Sequence, residues 1–369
     1  MQTESFWQHW KIAEDPFRAE EARDDPVFMR LVNTKITHPD FHKIYGQPDR
    51  PSAAVVFGEK GSGKTALRLL MERKFAEHNA AHPDRRAWVA RYDDWNPVLD
   101  RFANAVAPGN DADLATLKRF TLADHQDTIL SLTVTRLVDT VLGERKDELA
   151  TGEIQKRLRK MPRGKRVDLA TLAALYDQPR TGHFVPRWSK LKRMLGIGWF
   201  PKMALAKWGG FVALIAAVVL WLVGQFTEAE TGPPQVQLVL VGVLLVLAVG
   251  LLGYWAWRSM GLWSLARKIR RQLRTVDRHN GDLKHVLARI PASDLSAEPL
   301  PLPHAEDSRY QLTLRMLDLL EELGYRGLVV LVDRVDEPAV VNGDAQKMRA
   351  IIWPMLNNKF LQQDRVGVK

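Results

Sequence analysis

The chain has 369 residues, of which 46% are hydrophobic and 26% charged, and its formal net charge is +10 at pH 7. It contains no cysteine, which excludes disulfide cross-links, thiolate catalysis and zinc sites built from cysteine. The positive charge favours an anionic partner, and nucleic acid, anionic lipid and nucleotide phosphate all qualify. Charges at the N-terminus stand where a cleaved signal peptide needs an apolar core, so no such signal is expected.

The first part of a parallel α/β sheet is predicted over residues 51–110, after an N-terminal lead-in over residues 1–50. Ala53 to Phe57 is a short apolar run that is typical of a buried parallel strand. Helical spacing follows from Lys64 to Ala80, and Ala87 to Tyr92 predicts a second strand. Strand, loop, helix and strand in this order indicate a doubly wound sheet.

The loop between that first strand and the helix fits the phosphate-binding pattern G-x-x-x-x-G-K-[ST] at every fixed position. Its residues are Gly58, Glu59, Lys60, Gly61, Ser62, Gly63, Lys64 and Thr65. Glycines let backbone N–H groups approach phosphate oxygens, and the N-terminus of the following helix adds a positive dipole end. Lys64 would contact the β- and γ-phosphates, and the Thr65 hydroxyl would ligate Mg²⁺. ATP is the expected nucleotide, because the nearest matches to the guanine-reading motif, at Asn358 and Thr34, lack its aspartate.

A basic helical insertion is predicted over residues 111–207. Within it, Lys156 to Arg166 is a run of basic residues too polar for a core. A solvated face beside a bilayer and a docking site for anionic lipid or nucleic acid are both open interpretations. Nucleic acid is less favoured, because no aromatic residues for base stacking alternate with the charges.

A transmembrane hairpin is predicted over residues 208–257. Trp208 to Phe226 and Val236 to Trp257 contain no charged residue, and each has about the 20 residues that cross a bilayer as a helix. Two core helices of a soluble protein are the alternative, but such helices normally keep a polar stripe. Basic residues flank both outer ends, while the link from Thr227 to Pro234 carries only acids. The positive-inside rule therefore predicts an inner-membrane protein with two spans, cytoplasmic termini and a cytoplasmic nucleotide domain.

The hairpin contains no ionisable group that could line a transport pathway. We therefore interpret it as an anchor or an oligomerisation element, with a small channel made of several hairpins as a weaker alternative.

A basic helix and a proline-rich linker are predicted over residues 258–305, and the second part of the nucleotide domain over residues 306–369. Helical periodicity runs from Arg309 to Leu323, and the apolar run Leu328 to Val332 indicates a buried strand. Asp333 follows this strand directly. A carboxylate at that position is expected to hold Mg²⁺ together with Thr65.

Two further acids stand close behind Asp333 and are candidates for the general base that orients the attacking water. Glu337 is the first choice and Asp336 the second. The structural alternatives are that these acids cap a helix that begins near Asp344, or that they pair with Arg334.

These motifs, with the hairpin lying between Thr65 and Asp333, resemble the KAP group of P-loop NTPases, in which transmembrane helices are inserted between the Walker A and Walker B motifs. Asp333-Arg334-Val335-Asp336-Glu337 also looks like the Walker B motif of NACHT and other STAND ATPases. The resemblance covers about residues 50 to 340. It implies an ASCE-type P-loop fold and an ATP-driven switch or scaffold, in bacteria often linked to phage exclusion or defence.

In ASCE ATPases a strand that ends in a polar sensor residue follows Walker B. Val366 to Lys369 stands where that strand would begin, so the nucleotide domain is expected to be incomplete at its C-terminal side. A second copy of the chain or a partner protein would then complete the site, and the chain alone would turn over weakly. The expected function is a membrane-anchored ATPase, and the alternative is a nucleotide-gated membrane adaptor without efficient hydrolysis.

Overall fold

The computed structural model describes residues 39–59, 61–109, 112–144, 151–179, 183–197, 202–227, 235–303, 307–356 and 365–369, together with residues 7, 9–11, 24, 25 and 28. Lys60 of the phosphate loop and residues 228–234 of the predicted external link lie outside this set, as do Thr34 and Asn358.

The described residues are mostly helical, with three short strands. In chain order the elements are α1 (Phe41–Tyr45), α2 (Lys64–Ala81), β1 (Arg86–Tyr92), α3 (Asn96–Val106), α4 (Leu114–Leu117), α5 (Leu122–Leu142), α6 (Thr151–Lys160), α7 (Arg163–Tyr176), α8 (Phe184–Met194), α9 (Lys202–Thr227), α10 (Gln235–Gln272), α11 (Asn280–Leu287), α12 (Ala292–Ser296), α13 (Ser308–Glu322), β2 (Tyr325–Val332), α14 (Ala345–Leu356) and β3 (Val366–Val368).

Two compact units divide the chain. The first contains residues 1–161, 274–276 and 309–369, and therefore all three strands. The second contains residues 162–273 and 277–308 and is built from helices.

A small parallel sheet with the strand order β1-β2-β3 forms the centre of the first unit. The strand predictions at 87–92 and 328–332 are confirmed, and Tyr92 lies opposite Val332 where the two strands end. The four residues Leu328 to Leu331 are at most 1% exposed, as expected for a parallel strand that is covered on both faces. Helices α2 and α5 both pack against β1.

The two faces of the sheet are filled by different residues. Phe75 and Met71 of α2 share one core cluster with Ala87, Val329 and Leu331. On the other face the Arg136 guanidinium of α5 lies 5.3 Å from the centre of the Trp88 ring. The predicted helix from Lys64 to Ala80 is thus confirmed and covers one side of the sheet.

The predicted buried strand from Ala53 to Phe57 does not form, and this part of the sequence prediction is wrong. The segment has no strand assignment, and the side chains of Val55 and Phe57 are 52% and 88% exposed. A backbone hydrogen bond from Ala54 N–H to Val368 O, at 2.9 Å, brings only its beginning beside β3. The physical reason is that a parallel strand needs a ladder of evenly spaced backbone hydrogen bonds, and the bond from Ala54 is the single one found for this segment among the described residues.

The second unit contains two helices, α9 and α10, that are long and apolar enough to cross a membrane. The predicted apolar helices are confirmed, and α10 continues past the apolar run to Gln272, so that the apolar stretch and the basic stretch form one helix. In the most apolar windows of α9 and α10, only 22% and 11% of the residues are buried. Core helices of a soluble domain would be mostly buried, so this exposure argues against that alternative.

Helices α9 and α10 pack closely through small residues. Ala213 and Ala217 of α9 and Ala248 of α10 are at most 6% exposed. At Gly210 a Cβ atom would come within 2.7 Å of the Leu252 Cγ. Small residues of this kind let two apolar helices approach closely in lipid.

Candidate functional site

The phosphate loop, residues 58–65, is shaped by its glycines. Gly61 and Gly63 have φ values of 86° and 84°, in the left-handed region that residues with a Cβ rarely adopt. At Gly58 a Cβ would lie 2.3 Å from the Ser62 Oγ, so a side chain there would require the Ser62 side chain to move. The preference for glycine at positions 61 and 63 therefore has a local cause in the backbone conformation.

The Lys64 side chain folds back across this loop. Its Nζ donates hydrogen bonds to the carbonyl oxygens of Gly58, at 2.7 Å, and Glu59, at 2.8 Å. Those carbonyls are neutral acceptors, so a phosphate oxygen that enters the loop can compete for the ammonium with a full negative charge. The positively charged ammonium of Lys64 thus lies beside the carbonyl groups of Gly58 and Glu59.

Helix α2 begins at Lys64, with Thr65 in its first turn. Its N-cap residue is Gly63, and no side chain caps this end among the described residues. A helix of 18 residues with an uncapped N-terminus directs N–H groups and a positive dipole end at the loop. The arrangement suits a phosphate anion.

Asp333 lies at the end of β2, as predicted. Its backbone N–H donates to the Tyr92 carbonyl at 3.2 Å, so the residue continues the ladder between β1 and β2. Its carboxylate Oδ2 accepts a hydrogen bond from Arg68 Nε at 2.9 Å, although the two residues are 265 positions apart. Arg68 stands on α2, one turn after Lys64. The ion pair therefore connects the helix that follows the phosphate loop with the carboxylate at the strand end.

Two acids that the sequence analysis did not select also bind this arginine. Arg68 Nη1 lies 3.2 Å from Asp93 Oδ2 and forms a short hydrogen bond to Glu72 Oε1. Glu72 pairs in addition with Arg91 at 2.8 Å. We call Arg68, Glu72, Asp93 and Asp333 the Arg68 cluster. The signal in the sequence is the acid pair Asp93-Asp94 directly after the predicted strand 87–92, and the register of the strands selects Asp93.

Asp336 and Glu337, the predicted bases, lie in the turn after Asp333 and are exposed. Glu337 Oε2 is 3.4 Å from Arg334 Nη1, so the predicted alternative of a pair with Arg334 is found for Glu337. Arg334 has a left-handed φ of 59° and so turns the chain sharply behind Asp333. No ion pair of the described residues joins Asp336 or Glu337 to the Arg68 cluster.

The second structural alternative is that Asp336 or Glu337 caps the next helix, α14. The structure shows a different capping residue. Asp344 Oδ1 accepts hydrogen bonds from the backbone N–H groups of Gln346, at 2.7 Å, and Lys347, at 3.0 Å. These bonds, the one from Lys347 first, hold the pKa of Asp344 below its usual range. Helix α14 is therefore capped by Asp344, the residue directly before it.

A divalent cation could be held between the two motifs by a hydroxyl and a carboxylate. Thr65 and Asp333 are oxygen donors of the type that Mg²⁺ prefers, and Mg²⁺ commonly uses one or two protein ligands together with phosphate oxygens. No group of three or more His, Asp or Glu side chains arranged to hold a metal ion occurs in the described part of the chain. A site with few protein ligands remains compatible with this finding.

The basic run from Lys156 to Arg166 is only partly a free cationic surface. Arg157 pairs with Glu153 at 3.1 Å, and Arg166 Nη1 donates to the Leu195 carbonyl at 2.7 Å. Leu158, within the run, is only 2% exposed. These contacts make a continuous nucleic-acid or lipid surface along this segment less favourable than the sequence pattern suggested.

Comparison of the chain with protein-family models, curated proteins and solved structures gives no match. By its fold, this is a mostly helical protein with a small parallel sheet and two helices that are apolar enough to cross a membrane.

Proposed function

We propose that this protein is a membrane-anchored P-loop ATPase that works as an ATP-dependent switch. The observation that carries the proposal is the ion pair between Arg68 and Asp333. It joins the helix after a phosphate-binding sequence to a carboxylate at the end of a buried parallel strand, across 265 residues of intervening chain. The two motifs of a P-loop site need this proximity.

The surroundings of β3 give further support for a P-loop sheet. The hydrogen bond from Ala54 to Val368 lays the segment before the phosphate loop beside β3. A Cβ on Gly327 would meet Pro51 at 2.6 Å, and one on Gly367 would meet it at 2.8 Å, so Pro51 packs closely over β2 and β3. In parallel α/β sheets ligands bind beyond the carboxyl ends of the strands, where Asp333 lies.

The residues of the site have distinct proposed roles in ATP binding. Backbone N–H groups of the phosphate loop and the first turn of α2 bind phosphate oxygens. Lys64 exchanges its two loop carbonyls for the β- and γ-phosphates, and thereby neutralises their charge. Thr65 and Asp333 would hold Mg²⁺, which supplies charge neutralisation on the phosphates. To hold Mg²⁺, the Asp333 carboxylate has to give up at least part of its ion pair with Arg68.

Hydrolysis needs an acid that orients the attacking water. Glu337 and Asp336 remain the candidates from sequence, and the geometry adds Asp93, which shares Arg68 with Asp333. Single-turnover hydrolysis with Glu337→Gln, Asp336→Asn and Asp93→Asn separates them. Removing a general base lowers the rate by about 10²- to 10⁴-fold. The variant that loses hydrolysis and keeps ATP binding identifies the base.

The binding step is tested with Lys64→Ala in the full-length protein, solubilised in detergent, with a fluorescent ATP analogue. Loss of a charge-assisted hydrogen bond of about 1.5 to 3 kcal/mol weakens binding by roughly 10- to 100-fold. Lys74→Ala is the matched control, because Lys74 lies on the same helix and pairs with Glu77 at the surface. Equal affinity of wild type and Lys64→Ala would refute the phosphate loop as the nucleotide site.

A nucleotide-gated membrane adaptor is the second candidate function, and two ion pairs favour it. The negative charge of Asp333 is already neutralised by Arg68, and Glu337 pairs with Arg334. A protein that binds ATP but hydrolyses none, alone or with added protein partners, fits this candidate. Self-association of the chain, or completion of the site by a partner protein, belongs to the ATPase proposal and is tested by adding stoichiometric partner or raising the protein concentration.

The proposed location is the inner membrane, with both termini and the nucleotide domain in the cytoplasm. The exposed apolar faces of α9 and α10 support insertion, since a soluble protein seldom exposes apolar patches larger than a few hundred Å². Protease cleavage engineered into residues 228–234 tests the orientation: cleavage from the outside only is expected. A role in phage defence rests on the resemblance alone, and plaque counts with wild type and Lys64→Ala test it.

A further inference from the structure

A cleft opens on α10 just beyond the apolar stretch of that helix. It has a volume of about 270 Å³ and lies between α10 and α11. Its lining residues are Ser259, Met260, Trp263, Ser264, Arg267 and Lys284. We call it the juxtamembrane cleft.

Two cations converge on one indole ring in this cleft. The Arg267 guanidinium lies 5.9 Å from the centre of the Trp263 ring, and Lys284 Nζ lies 5.8 Å from it. No ion pair with an acid of the described residues is found for Arg267 or Lys284. The lining of the cleft contains two cations and no acid, which favours an anionic ligand.

The position of the cleft along α10 indicates where that ligand comes from. Trp257 ends the uncharged stretch, and at 1.5 Å per residue Met260 follows about 5 Å, Trp263 about 9 Å and Arg267 about 15 Å further along the helix, so the cleft begins at headgroup depth and extends beyond it. Headgroups extend roughly 5 to 8 Å beyond each side of the hydrocarbon core. Helical side chains lean toward the N-terminus of their helix, which for α10 is the membrane side. The contact of Arg267 with Trp263, one turn earlier, follows this direction and carries its charge toward the headgroups.

We propose that the juxtamembrane cleft binds the phosphate headgroup of an anionic phospholipid in the cytoplasmic leaflet. This inference rests on the membrane insertion of the proposed function. Arg267 and Lys284 donate charge-assisted hydrogen bonds to the phosphate. Met260, which is 66% exposed, contacts the upper part of the lipid, and the Trp263 indole lies beside the headgroup. Two cations match a lipid with net negative charge better than a zwitterionic lipid, whose own ammonium already neutralises its phosphate.

The test compares two double variants of the full-length protein in detergent micelles. Arg267→Gln/Lys284→Gln removes both cations of the cleft. Lys268→Gln/Arg271→Gln removes the same charge from exposed positions of α10 outside the lining. Native mass spectrometry with added phosphatidylglycerol or phosphatidylcholine measures lipid retention, and thermal melting checks that each variant folds.

The cleft variant is expected to weaken phosphatidylglycerol binding by about tenfold or more, whereas the control variant changes it less than about twofold. Retention of phosphatidylcholine is expected to be weak and equal in all three proteins. Equal loss of phosphatidylglycerol in both variants would mean unspecific charge attraction and overturn the proposal. Full competition by millimolar inorganic phosphate would assign the cleft to a free anion and overturn the lipid as its source.

Alkaline extraction of membranes, done first, separates this inference from the proposed function. Wild type that is released into the supernatant refutes membrane insertion, and with it both proposals. Wild type and variants that stay in the membrane, combined with unchanged lipid binding of the cleft variant, refute the lipid site alone.

Discussion

Arg68 holds three carboxylates around one guanidinium, and Arg68→Met would leave those carboxylates without it. The side chains of Arg68, Asp333 and Glu72 are 8%, 11% and 12% exposed, and that of Asp93 is 29% exposed. Water can therefore compensate only part of the lost charge. We expect the first unit to become markedly less stable near neutral pH.

The size of the effect follows from these contacts. At an effective dielectric constant of about 20, a charge pair at 4 Å contributes roughly 4 kcal/mol, and desolvation of the arginine offsets part of that gain. Removing one partner of a buried pair typically costs about 3 to 5 kcal/mol. Arg91 still pairs with Glu72 at 2.8 Å in the variant, so we expect the lower end, about 3 kcal/mol. For a domain of this size the melting temperature falls by about 6 to 12 °C.

Denaturant and thermal unfolding of the full-length protein in detergent measure this loss. Arg73→Met is the control, because Arg73 stands on the same helix and makes an exposed pair with Glu77 that contributes at most about 1 kcal/mol. The double variant Arg68→Met/Asp333→Asn is expected to be more stable than Arg68→Met, since it removes one of the repelling charges. A cost of Arg68→Met no larger than that of Arg73→Met would refute the reasoning, as would a double variant less stable than the single one.

Two further predictions concern buried groups away from the cluster. His125 is 0% exposed, and its Nε2–H donates a hydrogen bond to the Ile351 carbonyl at 2.8 Å. Burial lowers the pKa of His125 from 6.5 to about 4. Below pH 6.5 the unfolded chain therefore binds a proton at this residue that the native protein does not bind. The wild type should lose roughly 2 kcal/mol from this group between pH 7.5 and 5, and unfolding of His125→Gln measured across this range should lack that loss. Gly210→Leu forces a side chain against Leu252 and should lower hairpin stability by about 1 to 3 kcal/mol, whereas Gly250→Leu enters open space; equal melting temperatures of the two in detergent would contradict this packing.

The fold could be predicted from sequence where a segment determines its own structure. The strand at 87–92, the strand at 328–332 and the helix from Lys64 are each confirmed, because apolar runs and helical spacing are local patterns. Ala53 to Phe57 is the same kind of apolar run as the confirmed strands, yet it stays outside the sheet. A strand needs a ladder of hydrogen bonds to a neighbouring strand, and the residues of a segment do not show whether such a ladder forms beside it.

The candidate site divides in the same way. The glycines of residues 58–65 and Asp333 are predicted from spacing, whereas the Arg68 cluster depends on the register between two strands that are distant in sequence. Tyr92 lies opposite Val332, so the next residues, Asp93 and Asp333, leave the sheet side by side and reach the same arginine. A shift of the register by one residue would turn every side chain of β1 to the other face and would bring Asp94, which is exposed, into this position. Sequence leaves Asp93 and Asp94 equivalent, and the register selects Asp93 as the acid beside Asp333.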